Sequence, residues 1–269
     1  MITGCSSGIG ECTAHGLARR GYRVFASARR ETDVERLQSR GLESLPLDLA
    51  DSISINRAVD NILARTNGRL DALFNNGAYG QPGAVEDLSR DVLRAQFETN
   101  LFGWHELTNR ILPVMRKQGH GRIIHNSSVL GFVALPFRGA YNASKYALEG
   151  LTDTLRLELR GTGIHVSLIE PGPIKSRFRA NALAAYKKNI GAEVSVHREK
   201  YRRLEQRLET EGPVVPFTLP AEAVLKKVIK ALESPRPKAR YYVTFPTCLF
   251  AGLKRILTDR ALDRFLAKV

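Results

Sequence analysis

The sequence predicts an α/β fold: one doubly wound parallel sheet with helices on both faces. Three observations lead there. Short β-rich apolar runs alternate with longer helical patterns, as in a chain of βαβ units. Sheets built that way are covered on both sides, so their strands read as apolar runs. A glycine-rich turn at Gly4, Gly8 and Gly10 opens the chain ahead of a helical stretch, as Rossmann-type folds require. The 269 residues are 43% apolar, enough to fill one large core, and no repeat or low-complexity linker divides them. Residues 1–269 therefore read as a single domain.

Strands are expected at 22–27 (Tyr-Arg-Val-Phe-Ala-Ser), 42–47, 70–74, 122–127, 164–169 and 240–245. Helices are expected at 8–20, 31–40, 52–66, 89–117, 140–160 and 220–233. Only Met1 and Ile2 precede Thr3-Gly4, so the opening strand is short. A central strand that short would lose ladder bonds and packing, so the natural chain is expected to begin upstream of Met1. Residues 174–216 are far longer than an ordinary connection and should carry short helices of their own, such as 196–210. Excursions of that length tend to be lids or binding loops. Residues 247–269 form an amphipathic tail with Leu249, Phe250, Leu253, Ile256, Leu257, Leu262, Phe265 and Leu266. Thr258-Asp259 can divide it into two helices by capping the second. Such a stripe packs on its own domain or a sister subunit; peripheral membrane contact is the alternative.

Composition narrows the classes. No run of 18 apolar residues spans a membrane, and no secretory signal opens the chain. Cys5, Cys12 and Cys248 are too few and too scattered for a disulfide framework or a zinc site, so no metal and a cytoplasmic setting are expected. Residues 1–174 hold 20 Lys+Arg against 18 Asp+Glu, a net of +2, whereas residues 175–269 hold 21 against 9, a net of +12. That basic third suits a solvated surface, an anionic lipid surface or an acidic partner. No nucleic-acid motif accompanies it, so specific nucleic-acid binding is not expected.

The turn reads Thr3-Gly-Cys-Ser-Ser-Gly-Ile-Gly10, with Ser6, Ser7 and Ile9 among its glycines. Glycines allow a tight turn and close backbone approach, and the helix that follows offers free N–H groups and a positive dipole end to the phosphates of a dinucleotide. Its Gly-x-x-x-Gly-x-Gly spacing departs from the G-x-G-x-x-G fingerprint. The strand before residue 30 ends Ala26-Ser27-Ala28-Arg29-Arg30. NAD-selective sites usually place a carboxylate there for the ribose 2′-hydroxyl. Two guanidiniums instead suit a 2′-phosphate. The expected cofactor is NADP(H), with Arg29 the better contact and Arg30 the second.

Tyr141-Asn-Ala-Ser-Lys145 spans about one helical turn, so Tyr141 and Lys145 point the same way. A phenol has a pKa near 10, and a nearby ammonium favours the phenolate. Lowering it to about 7 would take roughly 4 kcal/mol from Lys145 and other charges. Tyr141 would then exchange protons at cellular pH. A zinc-dependent alcohol dehydrogenase lacks support without a Cys/His cluster, and a serine hydrolase would need a Gly-x-Ser-x-Gly motif that is missing. His125, on an expected buried strand, reads as structural.

Five motifs in order carry a resemblance: Thr3 to Gly10, Asn75-Asn76, Arg122-Ile-Ile-His-Asn-Ser-Ser128, Tyr141 to Lys145, and Pro171-Gly-Pro-Ile-Lys-Ser176. Over nearly its whole length the chain resembles the short-chain dehydrogenase/reductase family, closest to its hydroxysteroid and retinol dehydrogenase-like branch, bacterial members included. The glycine spacing is that family's pattern, and the family's first strand usually runs several apolar residues before its Thr-Gly. The resemblance implies Ser128, thirteen residues before Tyr141, as the catalytic serine rather than Ser127. It implies that Lys145 bonds the nicotinamide ribose and that Asn100, in Asn-Leu-Phe-Gly103, holds a water in a proton relay. Asp48 and Leu49 match the adenine contact, Asn75 and Asn76 the adenosine-side loop, and Pro171, Gly172, Ile174 and Ser176 the nicotinamide side. That adenosine-side loop departs from the family by reading Gly77-Ala78 where the family has Ala-Gly. If Ala78 had to adopt a positive φ, it would cost about 1 kcal/mol or more, unless Gly77 or Gly80 takes the turn.

The implied activity is hydride transfer between an alcohol and its aldehyde or ketone, with Tyr141 as proton donor and acceptor. Phe178, Leu183, Tyr186, Ile190, Tyr201 and Phe217 in the loop after Pro171-Gly172 suit an apolar substrate such as a retinoid, steroid or fatty aldehyde, or else pack the loop onto the domain. A homo-oligomer through helices 89–117 and 140–160 is implied as well. The rival reading is an NADP(H)-binding sensor or scaffold at a membrane surface or acidic partner. Intact Asn100, Ser128, Tyr141 and Lys145 count against it.

Overall fold

A computed structural model describes residues 1–212 and 215–267; the small parts of the 174–216 loop and of the 247–269 tail at 213–214 and 268–269 lie outside it. Its strands are β1 (Phe25–Ala28), β2 (Glu43–Pro46), β3 (Ala72–Asn75), β4 (Gly121–Asn126), β5 (Ile164–Glu170) and β6 (Arg240–Tyr242). All neighbours pair in parallel, β1 with β2 and then β3, β4, β5 and β6 in that order. Ile2 joins the two groups, bridging to Ala26 on one side and Phe74 on the other. Ladder bonds run from Ile2 N to Phe25 O (2.9 Å) and from Ser27 N to Ile2 O (2.9 Å). The strand order thus reverses at residues 1–2, where ligands of open α/β sheets bind.

Alternate side chains along the strands feed two cores. On one face Ile123, Leu73 and Val166 meet α3 (Ser52–Arg65), α5 (Gly103–Gln118) and α6 (Gly139–Glu158) through Ile55, Ile62, Trp104, Leu107, Ile111 and Leu148. On the other, Ala26, Phe74, Ile124 and Ile169 meet α1 (Gly8–Ala18), α2 (Glu31–Ser39) and α9 (Glu222–Glu233) through Ala14, Leu17, Val34, Leu37, Val224 and Val228.

Several boundaries differ from expectation for local reasons. The 22–27 strand starts only at Phe25, because Tyr22 and Arg23 reach outward to Glu233 and Glu43. The expected 89–117 helix is α4 (Arg90–Phe97) and α5 joined by a π-turn, Glu98–Phe102, that carries Asn100. Single π-turns inside helices often mark functional positions. The strand expected to reach 245 ends at Tyr242, since Pro246 sits in the first turn of α10 (Phe245–Ile256), where its missing N–H costs nothing.

The 174–216 excursion carries short helices as expected: α7 (Phe178–Asn189), whose bounds the sequence did not give, and α8 (Arg198–Glu209), close to the expected 196–210. They share a small core of Tyr186, Ile190, Tyr201, Leu204 and Leu208 with Ala84. Tyr201 ties it down, donating to Asp87 Oδ2 (2.6 Å) while accepting from Ala84 N (2.8 Å). The tail does split at Thr258, into α10 and α11 (Asp259–Leu266), although the Thr258 side chain makes no cap bond. Phe250, Leu262 and Leu266 pack on Val133 of the same chain. Among the described residues, no helix is long and apolar enough to cross a membrane.

Candidate active site

The sequence motifs converge at the C-terminal edge of the sheet. Gly4 (φ 69°) and Gly8 (φ 60°) take left-handed conformations that side chains disfavour. A Cβ on Gly4 would lie 2.5 Å from Gly77 Cα. Ser7 precedes α1 in extended backbone and makes no side-chain cap bond, leaving the first-turn N–H groups open to a ligand. The Ser6 carbonyl accepts from Arg36 Nη2 (2.6 Å), Ile9 packs against the core, and Gly10 lies against the Gly4 carbonyl. Ser176 borders the same turn, for a Cβ on Gly8 would come 2.9 Å from Ser176 Cβ. Pro171 accepts from Val129 N, Gly172 packs on Thr244, and Ile174 bridges to Leu219, fixing that loop beside the glycines.

At the end of β1 the two arginines differ. Arg30 Nε donates to Asp33 Oδ2 at 2.9 Å. Arg29 is exposed and makes no ion pair among the described residues. Burial pushes the nearby Tyr79 phenol up, and the Arg29 charge acts against it. An uncapped helix start, left-handed glycines pressed against backbone and a free guanidinium fit a phosphorylated dinucleotide.

Other expected contacts serve the scaffold. Asp48 Oδ1 accepts from Ala50 N (3.0 Å), and Leu49 is buried beside Gly77 and Gly103. Asn75 is buried, with Nδ2 donating to Thr108 Oγ1 (3.1 Å). Asn76 Nδ2 donates to Thr3 O (2.9 Å), and Thr3 Oγ1 accepts the N–H groups of both Asn76 and Gly77 (2.8 Å each). Those bonds lock the loop onto the glycine turn. Neither Ala78 nor its glycine neighbours Gly77 and Gly80 adopts a positive φ, so the exchanged residues cost no left-handed strain.

Tyr141, Ser128 and Lys145 come together at the end of β4. Ser128 Oγ accepts from Leu130 N (3.1 Å). Lys145 Nζ donates to Asn126 O (2.7 Å) and sits 4.2 Å from the Trp104 ring centroid and 5.7 Å from that of Tyr141. Asn100 is fully buried: its Nδ2 donates to Tyr79 O (2.9 Å) and Ser144 Oγ (3.3 Å), and its Oδ1 accepts from Tyr79 N (3.2 Å). Its side chain therefore pins the 76–80 loop to the helix bearing Tyr141.

The electrostatics depart from the expected lysine-driven shift. Burial pushes Tyr141 up to about 12, with the Ser128 hydrogen bond acting against it. Burial likewise pushes Lys145 down to about 7, opposed by the charge of Glu149. Desolvating both groups disfavours their charged forms. His125, whose Nδ1 lies 2.9 Å from Thr152 Oγ1, is held neutral: burial, then Lys145, pulls it to about 3. Sequence reading missed Trp104, which roofs Lys145 and donates from Nε1 to Gly77 O (2.7 Å). It also missed Glu149, though its place four residues after Lys145 was a usable signal. Above the site Phe178 meets Tyr141 edge-on at 5.2 Å.

Residues 1–187 match the short chain dehydrogenase family. The chain is 44% identical over 266 residues to the uncharacterized oxidoreductase YbbO of Escherichia coli, covering 99% of this chain and 93% of that one. It is 34% identical to the human 17-beta-hydroxysteroid dehydrogenase type 1, over 91% of this chain and 76% of the relative. A third relative, the NADPH-dependent 3-dehydrocapnine reductase of Ornithobacterium rhinotracheale, is 31% identical over 100% and 95% of the two chains.

Proposed function

This chain belongs to the short-chain dehydrogenase family of oxidoreductases, and we propose that it interconverts an apolar alcohol and its aldehyde or ketone with NADP(H). One observation carries the reading: the Tyr141 phenol, the Ser128 hydroxyl and the Lys145 ammonium meet beside the glycine turn. The reduced nicotinamide, when bound, supplies the hydride for the carbonyl carbon. Ser128 donates a hydrogen bond to the carbonyl oxygen and stabilises the charge developing there. Tyr141 gives that oxygen its proton. At neutral pH the phenol is protonated, so its proton is in place for the reductive direction. Lys145, fixed by Asn126 O, presents its charge to the phenol ring, and Asn100 keeps the loop beside them in place.

Gly4, Ser6, Ser7, Gly8, Ile9 and Gly10 are assigned to the phosphates, and Arg29 to the 2′-phosphate. The NADPH-dependent relative supports that choice. Tyr186, Ile190, Tyr201, Leu204 and Leu208 are spent packing α7 on α8; the aromatic residues Phe178 and Phe217 stay exposed and are the candidates to receive an apolar substrate.

The outward face of α10 adds a partner. Phe245, Leu249 and Ile256 are exposed on it, and Arg255 and Arg260 lie close by in sequence. That combination suits peripheral contact with anionic lipid, a source of apolar substrate. On this reading the protein is a cytoplasmic homo-oligomer whose single domain holds cofactor and substrate. Its test is an NADPH-oxidation screen over aldehydes and ketones, repeated with NADH. Turnover of apolar carbonyls with preference for NADPH is expected; no turnover with either cofactor would overturn the reading.

A further inference from the structure

Directly behind Lys145 lies a buried acid cluster to which the chemistry above assigns no task. Glu149 stands one turn beyond Lys145 on α6, so both face the same way. Glu170 ends β5 and is fully buried, immediately before Pro171 of the cofactor-side loop. Ser127, next to Ser128, is buried against Glu149; a Cβ on Gly131 would lie 2.6 Å from Ser127 Oγ and 3.0 Å from Glu149 Oε1.

From β6, Arg240 reaches every carboxylate present. Its Nη2 donates to Glu149 Oε2 (3.1 Å) and Asp153 Oδ2 (2.7 Å), and its Nε lies 3.0 Å from Glu170 Oε1. Arg156 also pairs with Asp153 at 2.6 Å. Two arginines thus face three carboxylates, two of which, Glu149 and Glu170, share the one guanidinium of Arg240. A buried charge without a partner is costly and is removed by pairing or protonation. Glu149 Oε1 and both Glu170 oxygens lack a hydrogen-bond partner among the described residues. One proton between the two carboxyls supplies the missing donor; the pair then keeps one negative charge, which Arg240 contacts directly and Lys145 faces from one helical turn away on α6.

We propose, resting on the oxidoreductase reading above, that Glu149 and Glu170 share one proton and serve as the counter-charge of Lys145, so that Glu149 is a positioning residue setting the pH range of the site. The directions agree: burial pushes both carboxyls up, Glu170 to about 9, and Glu149 supports the charged form of Lys145 against burial. The groups facing Lys145 are Tyr141 and Glu149 on α6, His125 and the Asn126 carbonyl on β4, and the Trp104 ring on α5. His125 is neutral across the working range. The pair itself is faced by Ser127, Asp153 and Arg240.

Two measurements on the full chain test this, one independent of turnover. Infrared titration of the wild-type protein should show a protonated buried carboxyl at pH 7 that disappears in Glu170→Gln. A wild-type spectrum without that band overturns the shared proton and needs no variant to fold. Nitrogen NMR of labelled lysine should then show Lys145 losing its proton about one pH unit lower, or more, in Glu149→Gln, since an adjacent negative charge is gone. The alkaline limb of kcat for carbonyl reduction should move the same way. An unmoved lysine titration overturns the counter-charge. If the lysine moves while no carbonyl is ever reduced, the oxidoreductase reading fails and the pair stands.

Discussion

The N-terminal two-thirds and the C-terminal third of this molecule use their polar residues in opposite ways. Up to residue 174 the chain is nearly neutral, and its motif side chains are turned inward: Thr3, Asn76, Asn100 and Trp104 hold one another's loops. From residue 175 the net charge is +12, and many of its cations, Arg255 and Arg260 among them, are exposed, as are apolar side chains such as Phe245 and Ile256. The contrast teaches that a motif residue can serve a bound ligand by holding backbone in place. Substitutions in the first region should therefore disturb chemistry, cofactor binding and folding together. Those at the exposed cations and exposed apolar side chains of the last third should leave folding alone and alter what the protein meets.

The strongest break in that contrast comes at Tyr141. Tyr141→Phe removes one hydroxyl from a residue whose ring stays packed against Phe178. Carbonyl reduction should fall on the order of 10³-fold, within the span lost with a general acid, while cofactor affinity by fluorescence titration stays nearly unchanged. Activity at the wild-type level would remove Tyr141 from the reaction.

Acid stability is the next largest effect, and its clearest source, His125, lies in the first region. His125 is buried neutral at about 3, so the unfolded chain binds a proton that the folded one refuses as pH falls from about 6.5. Stability should therefore drop steadily between about 6.5 and about 3. Lys145 works likewise in another window: its folded value of about 7 lies below the ordinary 10.5, so its contribution grows as pH rises between them. Urea unfolding across pH checks both. In His125→Gln the acid slope should flatten, and a slope equal to wild type would contradict the assignment.

How much of this was legible in the sequence follows from the range of the forces involved. The alternation of strands and helices is local, and the six strands appear close to where it placed them. The glycine turn and the pairing of Tyr141 with Lys145 depend on spacing along one element and could be read directly. The π-turn at Glu98–Phe102 could not, because one inserted residue leaves helical periodicity on both sides. The bounds of helix α7 were hidden for a related reason: its alanines and lysines give no apolar stripe, and its burial rests on Tyr186 meeting Tyr201 of α8. Roles set by distant partners were invisible. Nothing near Asn76 in sequence announces Thr3, and nothing near Glu170 announces Arg240.

A smaller effect separates two adjacent arginines. Arg29→Glu places a carboxylate where the 2′-phosphate is assigned, so KM for NADPH should rise about tenfold or more, as one lost or repelled charge contact of about 1.4 kcal/mol or more implies. KM for NADH should stay flat or fall. Arg30→Ala, whose guanidinium is already committed to Asp33, should change both by less than about threefold. Equal losses from the two variants would mean that the free and the paired guanidinium are not distinguished by the cofactor.

The smallest effect on the fold, and the sharpest on the contrast, is expected at Ile256, which is 81% exposed at the end of α10. Ile256→Asp removes no buried contact, so stability should stay within about 0.5 kcal/mol of wild type. Soluble-aldehyde turnover should be unchanged for the same reason. Sedimentation with anionic vesicles, however, should fall several-fold, and wild-type binding should weaken with salt, since exposed charges are screened within about 10 Å at 0.1 M. Binding that ignores both the substitution and the salt would mean that the basic third keeps the protein soluble and does nothing at a lipid surface. The difference between the two regions would then be one of charge alone.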